Sequence, residues 1–327
     1  MWAGDKVIAE DLNGEDLGDV LELHADAFAW WVLERESDPE HAQLRVLAKA
    51  LDLDHLAVHD ILADDHRAKF EEVGAARLVI TNAAALDPDQ AKLDACPVSL
   101  IVTDRILICL AVPTESFHPA KLLTQNAEHL ATGGVEVALQ LIMTAVITTY
   151  ENVEHWLENS SDDLADALFE ERPLSRTEQI WAFKLRTVLS RLRRLTDPMR
   201  AVVTDLVENV PASSRGPAAR RSLIERKWTM IEEHHNRVAN ATDALREALS
   251  SVFDTSLALA DVRMNTIMKK LTGWAAIVAV PTLVTSFVGM NVGFPGYGTV
   301  SGFWLYLAIM IITGVALYLV FRRQDWL

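Results

Sequence analysis

Residues 271–321 contain no Asp, Glu, Lys, Arg or His, whereas residues 1–270 are rich in Asp, Glu, Lys and Arg. A break that sharp implies two solvents, water for the first part and lipid for the second. Two apolar runs, 271–290 (LTGWAAIVAVPTLVTSFVGM) and 303–321 (FWLYLAIMIITGVALYLVF), fill most of the uncharged stretch. Each has the ~20 residues a helix needs to cross ~30 Å of hydrocarbon. Lys269 and Lys270 precede the first run, Arg322 and Arg323 follow the second, and the loop 291–302 between them has no basic residue. Positive flanks stay on the cytoplasmic side, so both termini are expected in the cytoplasm and the short loop outside. Trp274, Trp304, Tyr306 and Trp326 lie near the expected boundaries, where aromatic anchors collect.

The polar part reads as a succession of shorter elements. Segments 28–34 (FAWWVLE), 77–82 (RLVITN), 98–102 (VSLIV) and 105–112 (RILICLAV) have the length and β-branched content of strands. Segments 39–50 and 55–62 have helical spacing, the former with apolar Leu44, Val46 and Leu47. Together they predict an α/β domain over 1–125. A helical region follows over 126–216. Within it, 134–150 (GVEVALQLIMTAVITTY) is apolar and nearly of membrane length. Glu136 and Gln140 interrupt it and no basic flank follows, which predicts a buried core helix. Pro198, Pro211 and the Ser213-Ser214-Arg215-Gly216-Pro217 segment are expected to break the charged helices. From 218 to 270 there is no Gly or Pro, and the segment enters the first apolar run without a linker. One stalk helix over 217–290 is expected, on the order of 100 Å long. The outer loop (291–302), a second span (303–321) and a basic tail (322–327) complete the chain. Two spans cannot enclose a pore, so conduction requires several copies around an axis.

Charge narrows the partners. The formal net charge is −16, all of the surplus lying before residue 271. An acidic surface repels phosphate backbones and attracts cations, so no nucleic acid partner is expected. Cys96 and Cys109 lack metal-type spacing and suggest a reducing compartment. The opening MWAGDKVIAEDLNGED has neither a basic start nor an apolar run, so no secretory signal is expected. There is no phosphate-binding Gly-rich loop, HExxH or GxSxG, and no catalytic residue is assigned. The dense polar cluster Glu232-Glu233-His234-His235 reads as a solvated helix face. An enzyme is not expected.

The tripeptide Gly289-Met290-Asn291 stands where the first span leaves the membrane. An asparagine carries an amide oxygen on a short side chain. Several such residues around an axis form a ring of neutral oxygens. That ring suits magnesium, which sheds its water reluctantly and is cheaply bound through it. A charged ring would hold a divalent ion longer and slow its release.

These features resemble the CorA family of magnesium transporters. The segment 264–291 (MNTIMKKLTGWAAIVAVPTLVTSFVGMN) looks like the family's pore helix. The tail 321–327 (FRRQDWL) is similar to its closing basic run and Trp-Leu. The segment 56–71 (LAVHDILADDHRAKFE) resembles one in its soluble domain. The resemblance implies a homopentamer with a cytoplasmic α/β funnel and a central pore lined by the first span, in the inner membrane. It implies a selectivity filter at Gly289, Met290 and Asn291. Pore-lining positions would be Asn265, Met268, Leu271, Ala275, Ala279, Thr282 and Ser286, with Asp254 at the cytoplasmic mouth. Steps of three, four and seven residues place the lining positions on one helix face. The resemblance further implies inward passage of hydrated Mg²⁺, with Co²⁺ or Ni²⁺ as passengers. Intracellular Mg²⁺ would close the pore, with Asp60, Glu232 and Glu233 as candidate ligands. The loop VGFPGYGTVSG departs from many relatives in having no acid, and resembles the zinc-transporting branch in its Gly and Pro content. Zinc transport, proton-coupled, is the alternative. Met290 and the position of all 10 histidines before residue 271 speak against it. Ala279 is small for the family's gate, leaving Met268 and Leu271 to close it.

Overall fold

The computed structural model describes residues 2–3, 6–7, 27–51, 53, 55–62, 67–169, 172–209, 218–293, 295–324 and 326. Pro211, the 213–217 segment and most of the amino-terminal stretch read for a signal lie outside them. The chain divides into two compact units, Met1–Ala165 with Ser175–Ser250, and Asp166–Leu174 with Ser251–Leu327.

The first unit is built on a sheet of β1 (Trp2–Ala3), β2 (Lys6–Val7), β3 (Ala27–Glu34), β4 (Lys69–Val73), β5 (Ala76–Asp87), β6 (Lys92–Val102) and β7 (Ile106–Ala111). Its order is β2-β1-β3-β7-β6-β5-β4. Among the described strands, only β3 and β7 pair in parallel, Trp31 standing opposite Ile108. Alternation along β5 gives the sheet two apolar faces. Leu78 and Ile80 join Trp31, Ile101, Ile108 and Leu110 beneath α1 (Asp38–Ala50) and α2 (His55–Leu62), which contribute Leu44, Leu47 and Ile61. Val46, expected in that apolar face, is 37 % exposed. Buried Arg35 binds the sheet to the end of α2, donating to the Ile61 carbonyl at 2.6 Å and to Ser99 Oγ at 2.8 Å. Thr81, on the other face of β5, donates to Met199 Sδ at 3.1 Å.

That other face is covered by α4 (Ala127–Phe169) and α5 (Arg176–Glu208), reached through the short α3 (Pro119–Gln125). Gly134 in α4 has φ 69°, a left-handed conformation that kinks the helix and favours glycine. Beyond the kink, the 134–150 run is a core helix, as expected. Val137, Leu139, Ile142, Met143 and Val146 are buried. Thr149 Oγ1 accepts the Ala84 N–H at 2.9 Å, and the Tyr150 hydroxyl donates to the Asn82 carbonyl. The two polar residues that interrupt the run both reach α6 (Ala218–Val288): Glu136 accepts the Trp228 indole N–H at 2.8 Å, and Gln140 donates to the Ile224 carbonyl at 2.9 Å.

Pro198 does not break its helix. α5 continues through it, begun by a capping box between Ser175 and Glu178. The hydrogen bond that proline cannot make is offset by burial of Met199, Val202, Val203 and Leu206 immediately after it.

α6 is a single helix of 71 residues, close to the expected 217–290. In the second unit its last turns pair with α7 (Val300–Arg323). The α4–α5 turn is fixed there by the Leu174 N–H donating to Ser256 Oγ at 3.1 Å.

Candidate functional site

The residues expected to line a pathway are set out along α6 by its own geometry. At 100° per residue, Ala275, Ala279, Thr282 and Ser286 share one face. Val284 and Val288 stand two residues from Ser286, about 200° round the helix. Val284 and Val288 meet α7: with Thr285 and Gly289, the latter just past the helix end, they line a cavity of about 290 Å³ with Phe303, Tyr306, Leu307 and Met310. Among the described residues the first face is solvent-accessible. Asn265, Met268, Leu271, Ala275, Ala279, Thr282 and Ser286 are all exposed, as is Asp254 further back. Helical spacing puts the predicted lining residues on the side of α6 roughly opposite Val284 and Val288, where they are exposed, as are Trp274, Val278 and Leu283 at other angles.

Pro281 does not interrupt α6, although it supplies no N–H to the Ile277 carbonyl. The Thr282 hydroxyl donates to the Val278 carbonyl at 2.8 Å, and the Thr285 hydroxyl to the Thr282 carbonyl at 2.9 Å. Such back-bonding satisfies hydroxyls in an apolar medium and permits a slight bend.

The helix ends at the motif. The Gly289 N–H donates to Thr285 at 2.9 Å and the Met290 N–H to Phe287 at 3.2 Å, after which the chain turns away. Asn291 is exposed just past this end, so its side chain and the nearby carbonyls are available to an ion or its water. The outer loop then folds back on α7. Thr299 caps that helix, its hydroxyl accepting the Gly302 N–H at 3.1 Å. The Tyr306 hydroxyl donates to the Pro295 carbonyl at 3.1 Å. Sequence reasoning read Tyr306 only as a boundary aromatic. Its spacing one helical turn after Gly302 was the available signal.

Two of the three candidate regulatory ligands have other partners. Asp60 accepts from Lys69 Nζ at 2.5 Å, and this bond raises the lysine's pKa. Glu232 accepts from Thr204 Oγ1 at 3.1 Å, and Glu233 is exposed. Among the described residues, no group of three or more His, Cys, Asp or Glu could hold a metal ion. The expected solvated face at 232–235 is corrected at its end: His235 is fully buried, while His234 Nε2 lies 3.1 Å from the Glu151 carboxylate. A stalk that packs against α5 must bury one side, and His235 falls on it.

The sequence profile of the family described as CorA-like Mg2+ transporter protein matches residues 25–323. The cobalt/magnesium transport protein CorA of Methanocaldococcus jannaschii is 40 % identical over 118 residues, which cover 32 % of this chain and 37 % of that protein. The protein of the same name from Thermotoga maritima is 24 % identical over 279 residues, 83 % of this chain and 76 % of that one. The chain thus spans little more than a third of the first relative and about three quarters of the second. Among solved structures, the complete CorA magnesium transporter of M. jannaschii aligns over 99 % of this chain and 94 % of its own, with a TM-score of 0.75 at 20 % identity. The full-length CmaX protein aligns over 91 % and 88 %, with a TM-score of 0.67 at 21 % identity. At these identities the structures speak for the fold. The profile covers nearly the whole chain, from the first long strand to the end of the second apolar helix, and its description is that of a transporter rather than an enzyme: the chain belongs to the CorA-like Mg2+ transporter family.

Proposed function

We propose that this protein conducts hydrated Mg²⁺ into the cytoplasm through an axial pore lined by α6 in a homopentamer. The observation that carries the reading is the exposed stripe from Asn265 to Ser286, which faces away from α7 and ends at Gly289-Met290-Asn291. Around it the apolar surface is too extensive for water: Leu271 is 63 % exposed, Leu283 72 % and Ile312 66 %. Neighbouring copies and lipid cover that surface, and α6 and α7 are the two spans. A third helix, Gly133–Asp166, is also long and apolar enough to cross a membrane, but 61 % of its apolar window is buried, against 6 % for α6 and 0 % for α7. It serves as core.

At the outer mouth, a ring of Asn291 amide oxygens accepts hydrogen bonds from the waters that magnesium retains. With no acid in the outer loop, the neutral ring selects the ion without a charged antechamber. A divalent cation moving inward gains ~4.6 kcal/mol per 100 mV of membrane potential, twice the unit-charge value. Met268 and Leu271 form the narrow apolar section that closes, and Asp254 the acidic inner mouth. The relatives are named for magnesium and cobalt, which favours these ions over zinc.

Gating by internal magnesium is part of the reading. Within one chain, Asp60, Glu232 and Glu233 do not make an ion site, so its ligands come from adjacent copies, where Asp60 exchanges Lys69 for the ion. The continuity of α6 gives a movement of the soluble unit a direct route to the pore.

Mg²⁺ uptake into liposomes holding the purified full-length protein tests the proposal. Uptake that follows an imposed inside-negative potential and is abolished by Asn291→Ala is expected. No magnesium flux, or zinc flux in its place, rejects it.

A further inference from the structure

At the outer end of the spans, three segments meet on one side chain. The Tyr306 hydroxyl donates to the Pro295 carbonyl at 3.1 Å, holding the outer loop. The Tyr306 ring lies 6.4 Å, centroid to centroid, from Phe287 on the last turn of α6. Tyr306 itself belongs to the second turn of α7. One turn earlier, Gly302 allows the loop to approach: a Cβ built there would lie 2.1 Å from the Gly296 carbonyl oxygen. The Thr299 N–H donates to that same oxygen at 3.2 Å.

Asn291 lies between these anchors. It follows the last helical-type hydrogen bond, made by the Met290 N–H. Only three residues separate it from Pro295. Its position is therefore bounded by Phe287 on one side and Pro295 on the other, and both touch Tyr306. A site that recognises an ion through its water must hold its oxygens within roughly 0.5 Å to discriminate.

We infer that Tyr306 is a positioning residue for ion selection, joining the end of the pore helix to the outer loop and so setting where Asn291 presents its amide. The role rests on the reading of Asn291 as the selecting group. The ring also borders the 290 Å³ cavity beside Val284, Val288, Leu307 and Met310. The hydrogen bond to Pro295 ties the phenol directly to the loop.

The test is uptake of Mg²⁺ and of Ca²⁺ by the full-length protein in liposomes, over a range of external concentrations. Tyr306→Phe keeps the ring against Phe287 and loses the hydrogen bond. The half-saturating Mg²⁺ concentration is expected to rise about fivefold, the change that loss of one neutral hydrogen bond brings. This rise exceeds any fall in maximum rate, and the preference for Mg²⁺ over Ca²⁺ declines with it. Tyr306→Leu, which loses ring and bond together, goes further in the same direction. Unchanged half-saturation and preference in Tyr306→Phe, or a fall in maximum rate alone, would overturn the inference. Asn291→Ala measured alongside separates the two readings. If it abolishes Mg²⁺ uptake and Tyr306→Phe changes neither half-saturation nor preference, the positioning role alone fails. If it leaves the preference intact, the selecting role of Asn291 fails and the inference falls with it.

Discussion

The Trp228 indole N–H donates to Glu136 Oε1 at 2.8 Å, joining the stalk helix to the core helix beneath the sheet. The other oxygen of the same carboxylate accepts from Arg77 Nη2 on β5 at 2.7 Å. Both charged side chains are nearly buried, at 11 % and 10 % exposure. Removing one partner leaves the other charge unpaired in an apolar setting, at a cost of ~3–5 kcal/mol. Glu136→Ala should therefore lower the unfolding midpoint far more than Trp228→Phe, which loses one hydrogen bond and ~1 kcal/mol. Thermal unfolding of the full chain in detergent measures both. Equal losses would show that the ion pair contributes little.

His235 makes the soluble unit acid-sensitive. Burial, aided by nearby Arg200 and His234, lowers its pKa to about 4, while the Thr196 backbone and Asp197 pull weakly the other way. The folded state thus holds the ring neutral where an unfolded chain, with a pKa near 6.5, takes up a proton. The depressed value means stability that is full above pH ~6.5 and is lost as pH falls toward 4, by up to ~3 kcal/mol. His235→Leu should flatten the difference in unfolding midpoint between pH 7 and pH 5. A variant with the parent's full pH dependence would place the titrating group elsewhere.

The face assignment of α6 is open to chemical labelling. Cysteines replacing Ala279, Thr282 or Ser286 are expected to react with a small water-soluble thiol reagent, and those replacing Val284 or Val288, against α7, to be protected. The native background is slow: burial drives Cys109 up to about 12, and burial followed by Asp94 and Glu36 raises Cys96. Labelling at 284 and 288 with protection at 279, 282 and 286 would reverse the pore face.

Asp60 offers a test of gating that leaves the pore untouched. Asp60→Asn removes the charge that holds Lys69, and on the proposed reading weakens the inhibitory ion between copies. Uptake should then persist at interior Mg²⁺ levels that close the parent. Inhibition at the parent's concentration would remove Asp60 from the gating site.

Much of the architecture was legible along the chain because it rests on one-dimensional signals. The uncharged stretch 271–321 marks the change of medium, and the absence of Gly and Pro from 218 to 270 marks a continuous helix. The facing of Ala279, Thr282 and Ser286 follows from helical periodicity once the helix is granted. β4 was missed because its sequence, KFEEV, is that of a charged, half-exposed edge strand with no apolar alternation. Pro198 misled because local propensity counts the lost hydrogen bond but not the buried residues that follow.

What the sequence determined by itself is which segments are helices, which prefer lipid, and where Gly289-Met290-Asn291 falls at the end of the first apolar run. Only the tertiary structure decided the pairings. It gave Glu136 to Arg77 and Trp228, buried His235 beside its neighbour His234, held Asp60 with Lys69, and closed the outer loop on Gly302 and Tyr306. The reason is physical: periodicity along a chain records burial and medium, whereas a hydrogen bond or ion pair depends on which distant groups the packing brings within about 3 Å.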